Sequence, residues 1–331
     1  MNKIKICWGT RYNPAFIGNA YGYRIHNETL LKYVSQIADI SDEAEDVIII
    51  CSLEFYNKKI EGKRNWLFTM FEGTTLPDIY IESLRKADFL LTPSTWVKQL
   101  FEKYFDSDKI SVVPHGVEKD FFYRRRRISS NTPFRFFYEG AANPRKGYEE
   151  LIYAWKYSGF VDSPRVELYV KTTGIKKSEV EKKGNVILDG RNLNRKELIN
   201  LYHKAHCFIL PTRGEGFGLT LAQAMATGLP CIATDYSGVK DFFDDIVGYP
   251  VKYKMGKGEV TFVGDAKQEK HETEIAFPLV EDLIVQMINV VKDYKSALKK
   301  GRLASIRMRR FNWNNSAKIL VDLVKEKQCR L

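Results

Sequence analysis

The sequence predicts an α/β protein made of two domains, each built around a sheet of mainly parallel strands. The chain has 331 residues, about twice the length of a common single domain. Short apolar runs rich in β-branched and aromatic residues alternate along it with longer amphipathic segments, and this alternation is typical of βαβ units. A polar stretch without hydrophobic periodicity interrupts the alternation and separates two Rossmann-like halves.

The individual elements follow from the spacing of the apolar residues. Short apolar runs predict strands, and apolar residues at three-and-four spacing predict helices. Strands are expected at residues 4–8, 47–53, 89–92, 110–113, 134–138, 166–170, 208–210 and 231–234. Helices are expected at residues 24–37, 95–105, 147–157, 195–204 and 219–227, with a further amphipathic helix at 311–327.

The interruption in this pattern lies at residues 118–132. It carries four consecutive arginines at 124–127, followed by Ser-Ser-Asn-Thr-Pro, and such charge runs and turn residues are typical of linkers. We therefore predict an N-terminal domain over 1–117, a linker over 118–132 and a C-terminal domain over 133–311. Ligands of such folds bind outside the carboxyl ends of the strands, so we expect the functional residues in the loops that follow strands.

Composition and charge restrict the class of protein further. Hydrophobic residues make up 44% of the chain, which excludes a disordered or fibrous protein. The net charge of +11 favours an anionic partner, and nucleotides, nucleic acids and acidic membranes all fit it. The five cysteines never form a C-x-x-C pair, and no apolar stretch approaches the ~18 residues of a membrane span. We therefore expect a cytoplasmic protein with reduced thiols.

The most informative motif follows the strand predicted at 208–210. It reads P-T-R-G-E-G-F-G-L and continues T-L-A-Q-A-M-A-T-G-L-P up to Pro230. A helix that begins near Gly218 directs its free backbone N–H groups at the loop, which makes an anion site next to the Glu215 carboxylate. Gly216 and Gly218 let a ligand approach the backbone closely. An ordinary tight turn between a strand and a helix is the alternative interpretation of these glycines.

A second motif, Pro144-Arg145-Lys146-Gly147, follows the strand predicted at 134–138. Two cations at the start of a helix suit a diphosphate, because they form charge-assisted hydrogen bonds and the helix dipole also favours an anion. A solvated basic helix start is the alternative here.

Both motifs resemble those of the retaining family 4 glycosyltransferases, the glycosyl transferases group 1, which have the GT-B fold. The family signature, E-G-F-G-L-x-x-x-E-A-M-A-x-G-x-P, places a second glutamate eight residues after the first, and here that position is Gln223. Segments 70–77, 87–96 and 112–117 resemble the acceptor-domain pattern of the same family. The resemblance covers most of residues 65–250 and fades toward the N-terminus, where only residues 18–23 represent the family's first glycine-rich loop.

The resemblance implies a role for each matching residue. Glu215 is expected to contact the donor sugar near the reacting carbon and Arg145 and Lys146 to bind the diphosphate, and these three are the predicted catalytic residues. Gln223 is expected to bind the ribose hydroxyls, but more weakly than the family's glutamate does. Ala141 stands where the family often has an arginine, so other groups must supply phosphate contacts. The predicted donor site comprises Gly140, Arg145, Lys146, Arg213, Gly216, Phe217, Gly218, Leu219 and Gln223.

The same resemblance implies a fold and an activity. Two Rossmann-like domains, an N-terminal acceptor domain and a C-terminal donor domain, are expected to face each other across a cleft, with a C-terminal helix at 312–331 packing back on the first domain. The implied activity, within polysaccharide biosynthesis, is transfer of a sugar from a UDP- or GDP-linked donor to a saccharide or glycolipid acceptor with retention of configuration.

We expect no cofactor and no metal in this reaction. Basic side chains can stabilise a departing diphosphate in place of a metal ion, and no Asp-x-Asp occupies the expected position. His203 and His206 lie three residues apart on a predicted helix, but no carboxylate or cysteine completes a set of metal ligands with them. A structural role is therefore expected for both histidines.

Three alternatives stay open from the residues alone. The +11 charge also fits an enzyme that glycosylates a base in DNA, which would have to extrude that base. A nucleotide-sugar-binding protein without turnover would account for Gln223, although the retained Glu215 argues against it. Residues 295–310 are rich in basic residues between apolar ones, which fits peripheral contact with a membrane surface or, as the pattern favours, a solvated helix with one buried face.

Overall fold

The computed structural model describes residues 3–12, 21–122, 133–141, 143–173, 179–264 and 267–329. The chain divides into two compact units. The first comprises Met1–Gly116, Lys257–Glu274 and Phe311–Leu331, and the second comprises Val117–Gly256 and Ile275–Arg310. The segment Lys257–Glu274, which the sequence boundaries placed in the C-terminal domain, therefore belongs to the first unit. The arginines at 124–127 and the residues 18–20 lie outside the described residues.

Strands and helices alternate along most of the chain. The strands are β1 (Lys5–Trp8), β2 (Asp39–Ile40), β3 (Asp46–Ile50), β4 (Arg64–Phe68), β5 (Phe89–Thr92), β6 (Ile110–Val112), β7 (Phe134–Ala141), β8 (Val166–Thr173), β9 (Val180–Lys183), β10 (Val186–Asp189), β11 (Cys207–Leu210), β12 (Cys231–Thr234), β13 (Tyr249–Val251), β14 (Tyr253–Gly264) and β15 (Lys267–Pro278). The helices are α1 (Tyr21–Ile37), α2 (Asp78–Arg85), α3 (Thr95–Phe101), α4 (Tyr148–Tyr157), α5 (Arg195–Lys204), α6 (Leu219–Ala226), α7 (Val280–Lys292), α8 (Tyr294–Met308) and α9 (Trp313–Cys329).

The first unit contains a sheet of parallel strands in the order β2-β1-β3-β4-β5-β6. Every residue of β3 is buried, as expected for a parallel strand that is covered on both faces. Asp46, at the start of β3, accepts hydrogen bonds from Arg64 Nη2 at 2.6 Å and from Trp66 Nε1 at 2.7 Å. The buried charge is thus paired within the sheet.

The helix α9 completes the core of the first unit. Trp313, Leu320 and Val324 lie in one cluster of buried residues with Leu30 of α1. Gly116 lies against the start of α9, where a Cβ atom would come within 2.2 Å of the Trp313 backbone nitrogen. Only glycine permits so close an approach between backbones, so this residue determines how α9 meets the end of the first sheet.

The second unit contains a sheet in the order β13-β12-β11-β7-β8-β10-β9, in which only β9 runs antiparallel to its neighbour. The chain builds from β7 through β8 to β10 on one side and then from β11 through β12 to β13 on the other. The direction of building therefore reverses between β7 and β11. Ligands of doubly wound sheets bind outside the carboxyl ends of the strands at such a switch point, so a site is expected in the loops after β7 and β11.

The elements predicted from the sequence are present, with ends that differ by a few residues. The helix predicted at 95–105 ends at Phe101, and the strand predicted at 47–53 ends at Ile50. The sequence analysis did not predict the strands β2, β4, β9, β10 and β13, the helices α2 and α7, or the two-stranded sheet that β14 and β15 form. Charged residues and glycines interrupt the alternation of apolar residues in β14 and β15, so no hydrophobic period marks them.

Candidate active site

The candidate site lies where the loops after β7 and β11 meet. Gly147 has a φ of +69°, and a Cβ atom there would lie 1.7 Å from the carbonyl oxygen of Pro211. The backbone N–H of Arg213 donates to the carbonyl oxygen of Arg145 at 2.7 Å, and Thr212 Oγ1 lies 3.0 Å from the same oxygen. The two loops are therefore held together by backbone contacts, and these contacts bring the side chains of the two loops close to each other.

The centre of the site is the carboxylate of Glu215, a residue that is 6% exposed. Lys146 Nζ donates to Glu215 Oε1 at 2.7 Å and to Oε2 at 3.0 Å, and Thr212 Oγ1 lies 3.1 Å from Oε1. Arg145 Nη1 lies 3.7 Å from Glu215 Oε1 and donates to the carbonyl oxygen of Gly214 at 2.7 Å. The structure thus brings together the three residues that the sequence predicts as catalytic.

Electrostatics keep this carboxylate ionised. Burial alone would raise the pKa of Glu215, but the cations Lys146 and Arg145, together with hydrogen bonds from Lys146 and Thr212, hold its pKa below the usual value of 4.5. One carboxylate faces two cations, so the cluster keeps an excess of positive charge. The two cations of the cluster can therefore bind an anion, and the fixed carboxylate beside them can accept hydrogen bonds from a neighbouring group.

The helix α6 begins directly after this loop and contributes its N-terminus. Gly218 has a φ of +92°, and a Cβ atom there would lie 2.6 Å from Val239 Cγ1, so glycine is required at this position. The helix starts at Leu219, and its first backbone N–H groups lack intrahelical partners. Phe217 is 2% exposed and its ring lies 5.1 Å from that of Phe242. The Phe217 side chain therefore packs in the interior of the unit.

Three further residues of the predicted donor site lie in the same loops and in α6. Gly140 is near the end of β7, where a Cβ atom would lie 2.7 Å from the hydroxyl oxygen of Tyr138. Gly216 is buried in the loop before α6. Gln223 is in α6 and is 8% exposed. A role in donor binding stays a prediction for these residues.

Arg213 is engaged with another side chain. Its Nε and Nη2 atoms lie 2.7 and 2.6 Å from Glu150 Oε1, and its guanidinium carbon lies 4.9 Å from the centre of the Phe277 ring. The structure therefore does not bring the Arg213 guanidinium to the Glu215 carboxylate. A phosphate contact from Arg213, as the sequence predicts, would require it to leave Glu150.

The two histidines considered as metal ligands lie on α5 and just after it. His206 Nδ1 accepts a hydrogen bond from the backbone N–H of Arg135 at 2.9 Å, and its ring stacks on that of Phe134 with centroids 5.0 Å apart. His203 is in the last turn of α5. His206 therefore connects the segment before β11 with the start of β7.

Sequence analysis missed the residues that hold the backbone of Glu215. The Glu215 N–H donates to Ser237 Oγ at 2.8 Å, and the Gly238 N–H donates to the Glu215 carbonyl oxygen at 3.0 Å. Both residues lie in the turn after β12, at the same edge of the sheet as the loops after β7 and β11. A Ser-Gly pair shortly after a predicted strand was the available signal, since such pairs mark turns.

Replacing Gly147 by alanine is expected to lower the free energy of unfolding by about 2 kcal/mol or more. The left-handed backbone costs a non-glycine residue about 1 kcal/mol, and the added methyl group would push against the carbonyl of Pro211, an overpacking cost of about 1–3 kcal/mol. Chemical denaturation measures the loss. Gly159→Ala is the matched control, because Gly159 also has a positive φ, +77°, but open space around its Cβ position. Equal losses in the two variants would contradict a close contact at Gly147.

Comparison with solved structures identifies the fold. A glycosyltransferase of Rickettsia africae superposes with a TM-score of 0.64 at 16% sequence identity, covering 98% of this chain and 99% of that one. HepE of Anabaena, solved in complex with UDP and glucose, gives a TM-score of 0.65 at 10% identity over 98% and 100% of the two chains. Sucrose-phosphate synthase of Thermosynechococcus elongatus gives 0.66 at 14% identity over 95% and 80%. The chain therefore has the GT-B fold of glycosyltransferases.

Sequence comparison finds a matching family model and several relatives. Residues 120–255 match the model of the glycosyl transferases group 1. The lipopolysaccharide 1,2-N-acetylglucosaminetransferase of Salmonella typhimurium is 23% identical over 275 residues, which are 74% of this chain and 71% of that protein. The O-antigen chain mannosyltransferase of the same organism is 28% identical over 210 residues, 55% and 58% of the two chains.

A third relative shares a shorter stretch. The UDP-Gal:α-D-GlcNAc-diphosphoundecaprenol α-1,3-galactosyltransferase of Escherichia coli is 29% identical over 165 residues, 43% of this chain and 42% of that protein. The alignments with this relative and with the mannosyltransferase thus cover less than two thirds of each relative's length.

Proposed function

We propose that the protein transfers a sugar from a nucleotide-sugar donor to a saccharide or glycolipid acceptor with retention of anomeric configuration. The observation that carries this proposal is the cluster of Glu215, Lys146 and Arg145 at the switch point of the second sheet. It supplies both requirements of the reaction: cations for a diphosphate and a fixed carboxylate for a sugar. The relatives named above, an N-acetylglucosaminetransferase and a mannosyltransferase, support the same reaction class.

The cations of the cluster act on the donor diphosphate. Lys146 and Arg145 form charge-assisted hydrogen bonds to its oxygens, and the N-terminus of α6 adds backbone N–H groups. During transfer the bond between the anomeric carbon and the diphosphate oxygen breaks, and negative charge collects on the leaving oxygen. Groups placed in advance around that oxygen stabilise the transition state more than the bound donor, and this difference accelerates the reaction.

Glu215 orients the sugar of the donor. Its ionised carboxylate accepts hydrogen bonds from sugar hydroxyls, which holds the anomeric carbon next to the acceptor hydroxyl that replaces the diphosphate. Lys146 contacts both carboxylate oxygens of Glu215. A bound diphosphate attracts Lys146, so the carboxylate loses part of this ion pair when it gains the sugar hydroxyls.

We assign the acceptor to the first unit. The loop between β4 and α2 lies at the carboxyl edge of its sheet, and a side chain from the segment Lys257–Glu274 fixes that loop. Thr273 Oγ1 accepts the backbone N–H groups of Thr74 at 2.9 Å and Thr75 at 3.1 Å, and Thr273 is 5% exposed. A loop held so firmly at a carboxyl edge is suited to position a saccharide.

A panel of UDP- and GDP-linked sugars tests the proposed function. The expected result is slow hydrolysis of one donor by the protein alone, and faster release of the nucleoside diphosphate once a matching saccharide or lipid-linked saccharide is added. The anomeric configuration of the product, read by nuclear magnetic resonance, should equal that of the donor. Binding of nucleoside diphosphates without hydrolysis or transfer of any sugar would contradict the proposal and favour a binding protein.

Transfer is expected to continue in the presence of a metal chelator. In the proposed mechanism Lys146 and Arg145 stabilise the departing diphosphate, so a divalent cation is not required for that charge. Transfer rates with and without EDTA should agree within about twofold. Complete loss of activity with EDTA, restored by magnesium or manganese, would instead require a metal-dependent mechanism.

Replacing Gln223 by glutamate is expected to raise the affinity for the donor by up to about fivefold. A carboxylate accepts hydrogen bonds from ribose hydroxyls more strongly than an amide does, by about 1 kcal/mol. Calorimetry with the nucleoside diphosphate measures the change. Gln286→Glu, on α7 in the same unit, is the control for an added charge. An unchanged affinity would place Gln223 away from the nucleotide.

The outer face of α8 supports a further proposal, peripheral contact with an acidic membrane. Its buried face is made of small residues and Met308. The exposed residues within α8 are Lys295, Lys299, Arg302, Leu303 and Ile306; the exposed Asp293 precedes the helix, and the exposed Arg309 and Arg310 follow it. Each cation near an anionic bilayer contributes about 1 kcal/mol. Leu303 and Ile306 are 45% and 46% exposed and favour lipid over nucleic acid. None of the helices within the described residues is long and apolar enough to span a bilayer.

Sedimentation with lipid vesicles tests this contact. We expect binding to phosphatidylglycerol vesicles, little binding to phosphatidylcholine vesicles, and weaker binding after the double substitution of Leu303 and Ile306 by serine. Equal binding of the variant and the unmodified protein, or stronger binding to duplex DNA than to either vesicle, would contradict a lipid surface on α8.

A further inference from the structure

Ser237 carries a backbone conformation that side chains avoid. Its φ is +68°, and no other non-glycine residue in the described part of the chain has a positive φ. The residue is 1% exposed and lies in the turn after β12, at the edge of the sheet that carries the candidate site. Conformations of this kind persist only where the surroundings enforce them, and they are concentrated at functional sites.

The hydroxyl of Ser237 is fixed by two hydrogen bonds. Oγ accepts the backbone N–H of Glu215 at 2.8 Å and donates to the carbonyl oxygen of Tyr236 at 2.6 Å. The next residue holds the other backbone polar group of Glu215: the Gly238 N–H donates to the Glu215 carbonyl oxygen at 3.0 Å. A Cβ atom at Gly238 would lie 2.2 Å from the carbonyl oxygen of Gly216, so this turn and the loop after β11 are in direct backbone contact.

The strongest side-chain partner of Glu215 is poorly suited to hold it during the reaction. Lys146, which donates to both carboxylate oxygens, is also one of the two cations that bind the diphosphate in the proposed function. Binding of the donor therefore weakens the strongest side-chain contact of Glu215 at the moment when its orientation matters. The bonds of its backbone to Ser237 and Gly238 involve no group that the donor would recruit.

We propose that Ser237 is a positioning residue: its hydroxyl holds the backbone of Glu215 and thereby aims the carboxylate at the donor sugar. This inference rests on the proposed function. The left-handed turn is the conformation in which Oγ reaches the Glu215 N–H. The hydrogen bond between these two groups therefore accounts for both the strain at Ser237 and the placement of the carboxylate.

Two substitutions separate the hydroxyl from the backbone conformation. Ser237→Gly and Ser237→Ala both remove Oγ, but only glycine adopts a φ of +68° without strain. We expect kcat to fall about tenfold or more in both variants, since misplacement of a reacting group by about 1 Å can cost 100-fold. The KM for the donor and the calorimetric affinity for the nucleoside diphosphate should stay within about twofold, because Lys146 and Arg145 are unchanged. Ser237→Ala should also unfold at a lower denaturant concentration than Ser237→Gly.

Ser158→Ala is the matched control for losing a buried hydroxyl. Ser158 Oγ likewise donates to a carbonyl oxygen, that of Trp155 at 2.8 Å, and accepts a backbone N–H, that of Phe160 at 3.3 Å, but its φ is an ordinary −74°. This variant should keep the kcat of the unmodified protein. Wild-type kcat in Ser237→Gly would overturn the proposal, since the serine hydroxyl would then only stabilise the turn after β12.

A readout that does not need turnover separates this inference from the proposed function. The pKa of Glu215, followed by nuclear magnetic resonance of labelled glutamate, should rise toward 4.5 in both Ser237 variants, because the loosened backbone weakens the contact with Lys146. An unchanged pKa would contradict the positioning role even if no donor were found. A shifted pKa in a protein that transfers no sugar would instead contradict the proposed function and keep the link between Ser237 and Glu215.

Discussion

Replacing Glu215 by glutamine is expected to lower the transfer rate by about 100-fold or more while the fold stays intact. The amide keeps the shape of the side chain but lacks the charge, so its hydrogen bonds to the sugar hydroxyls are weaker. They no longer stabilise the transition state more than the bound donor. The same substitution removes the negative charge that partly compensates Lys146 and Arg145. Free nucleoside diphosphate should therefore bind at least as tightly as to the unmodified protein. Turnover assays and calorimetry measure the two effects.

Glu167→Gln provides the matched control. Glu167 is a partly buried carboxylate that accepts from Arg135 Nε at 2.7 Å, but it is near the start of β8, at the opposite edge of the sheet from the site. This variant should keep the transfer rate. A folded Glu215→Gln protein with full activity would exclude Glu215 from the reaction, and a loss of diphosphate affinity would contradict the charge relation with Lys146.

Alanine at Arg145 or Lys146 is expected to weaken nucleoside diphosphate binding by about 1.5–3 kcal/mol for each residue, the strength of a hydrogen bond to a charged group. Lys146→Ala should have a second effect that Arg145→Ala lacks. It leaves the buried Glu215 carboxylate without its closest cation, so the free energy of unfolding should fall by about 3 kcal/mol. Calorimetry and chemical denaturation measure these two quantities.

A double substitution isolates that second effect. Adding Glu215→Gln to Lys146→Ala removes the uncompensated charge, so the double variant should be more stable than Lys146→Ala alone. Lys204→Ala, at the exposed end of α5, should change neither binding nor stability. If both single variants bind every nucleoside diphosphate as well as the unmodified protein, Lys146 and Arg145 do not bind the donor diphosphate.

The parts of the fold and site that depend on local spacing were predictable from the sequence. The run from Pro211 to Pro230 by itself indicates a strand end, a tight loop and a helix, because the glycines and the apolar residues follow fixed local rules. Lys146 and Glu215 are far apart in sequence, yet both follow strands of one parallel sheet. The carboxyl ends of such strands meet at one edge, and in the structure these side chains are in contact.

The remainder depends on tertiary contacts that no local pattern encodes. Arg213 is adjacent to the glycine-rich loop in sequence, but its guanidinium pairs with Glu150 of α4, and only the packing of α4 against the loop determines this choice. Ser237 has a left-handed φ and accepts the backbone N–H of Glu215 from 22 positions away in sequence, so no local pattern indicates this contact. The strands β14 and β15 lack a hydrophobic face of period two, so their sequence resembles a polar loop.

The position of α9 also has a consequence for the order of folding during synthesis. The apolar cluster of the first unit needs Leu320 and Val324 to close over Leu30, although the last strand of its sheet ends at Val112. A ribosome that adds about 5–20 residues per second needs roughly 10–40 s to make the intervening chain. Throughout this interval the first sheet exposes the apolar surface that α9 later covers. The half of the protein that is made first is therefore the last to become stable, and it is the half that most needs protection from aggregation while the chain is being made.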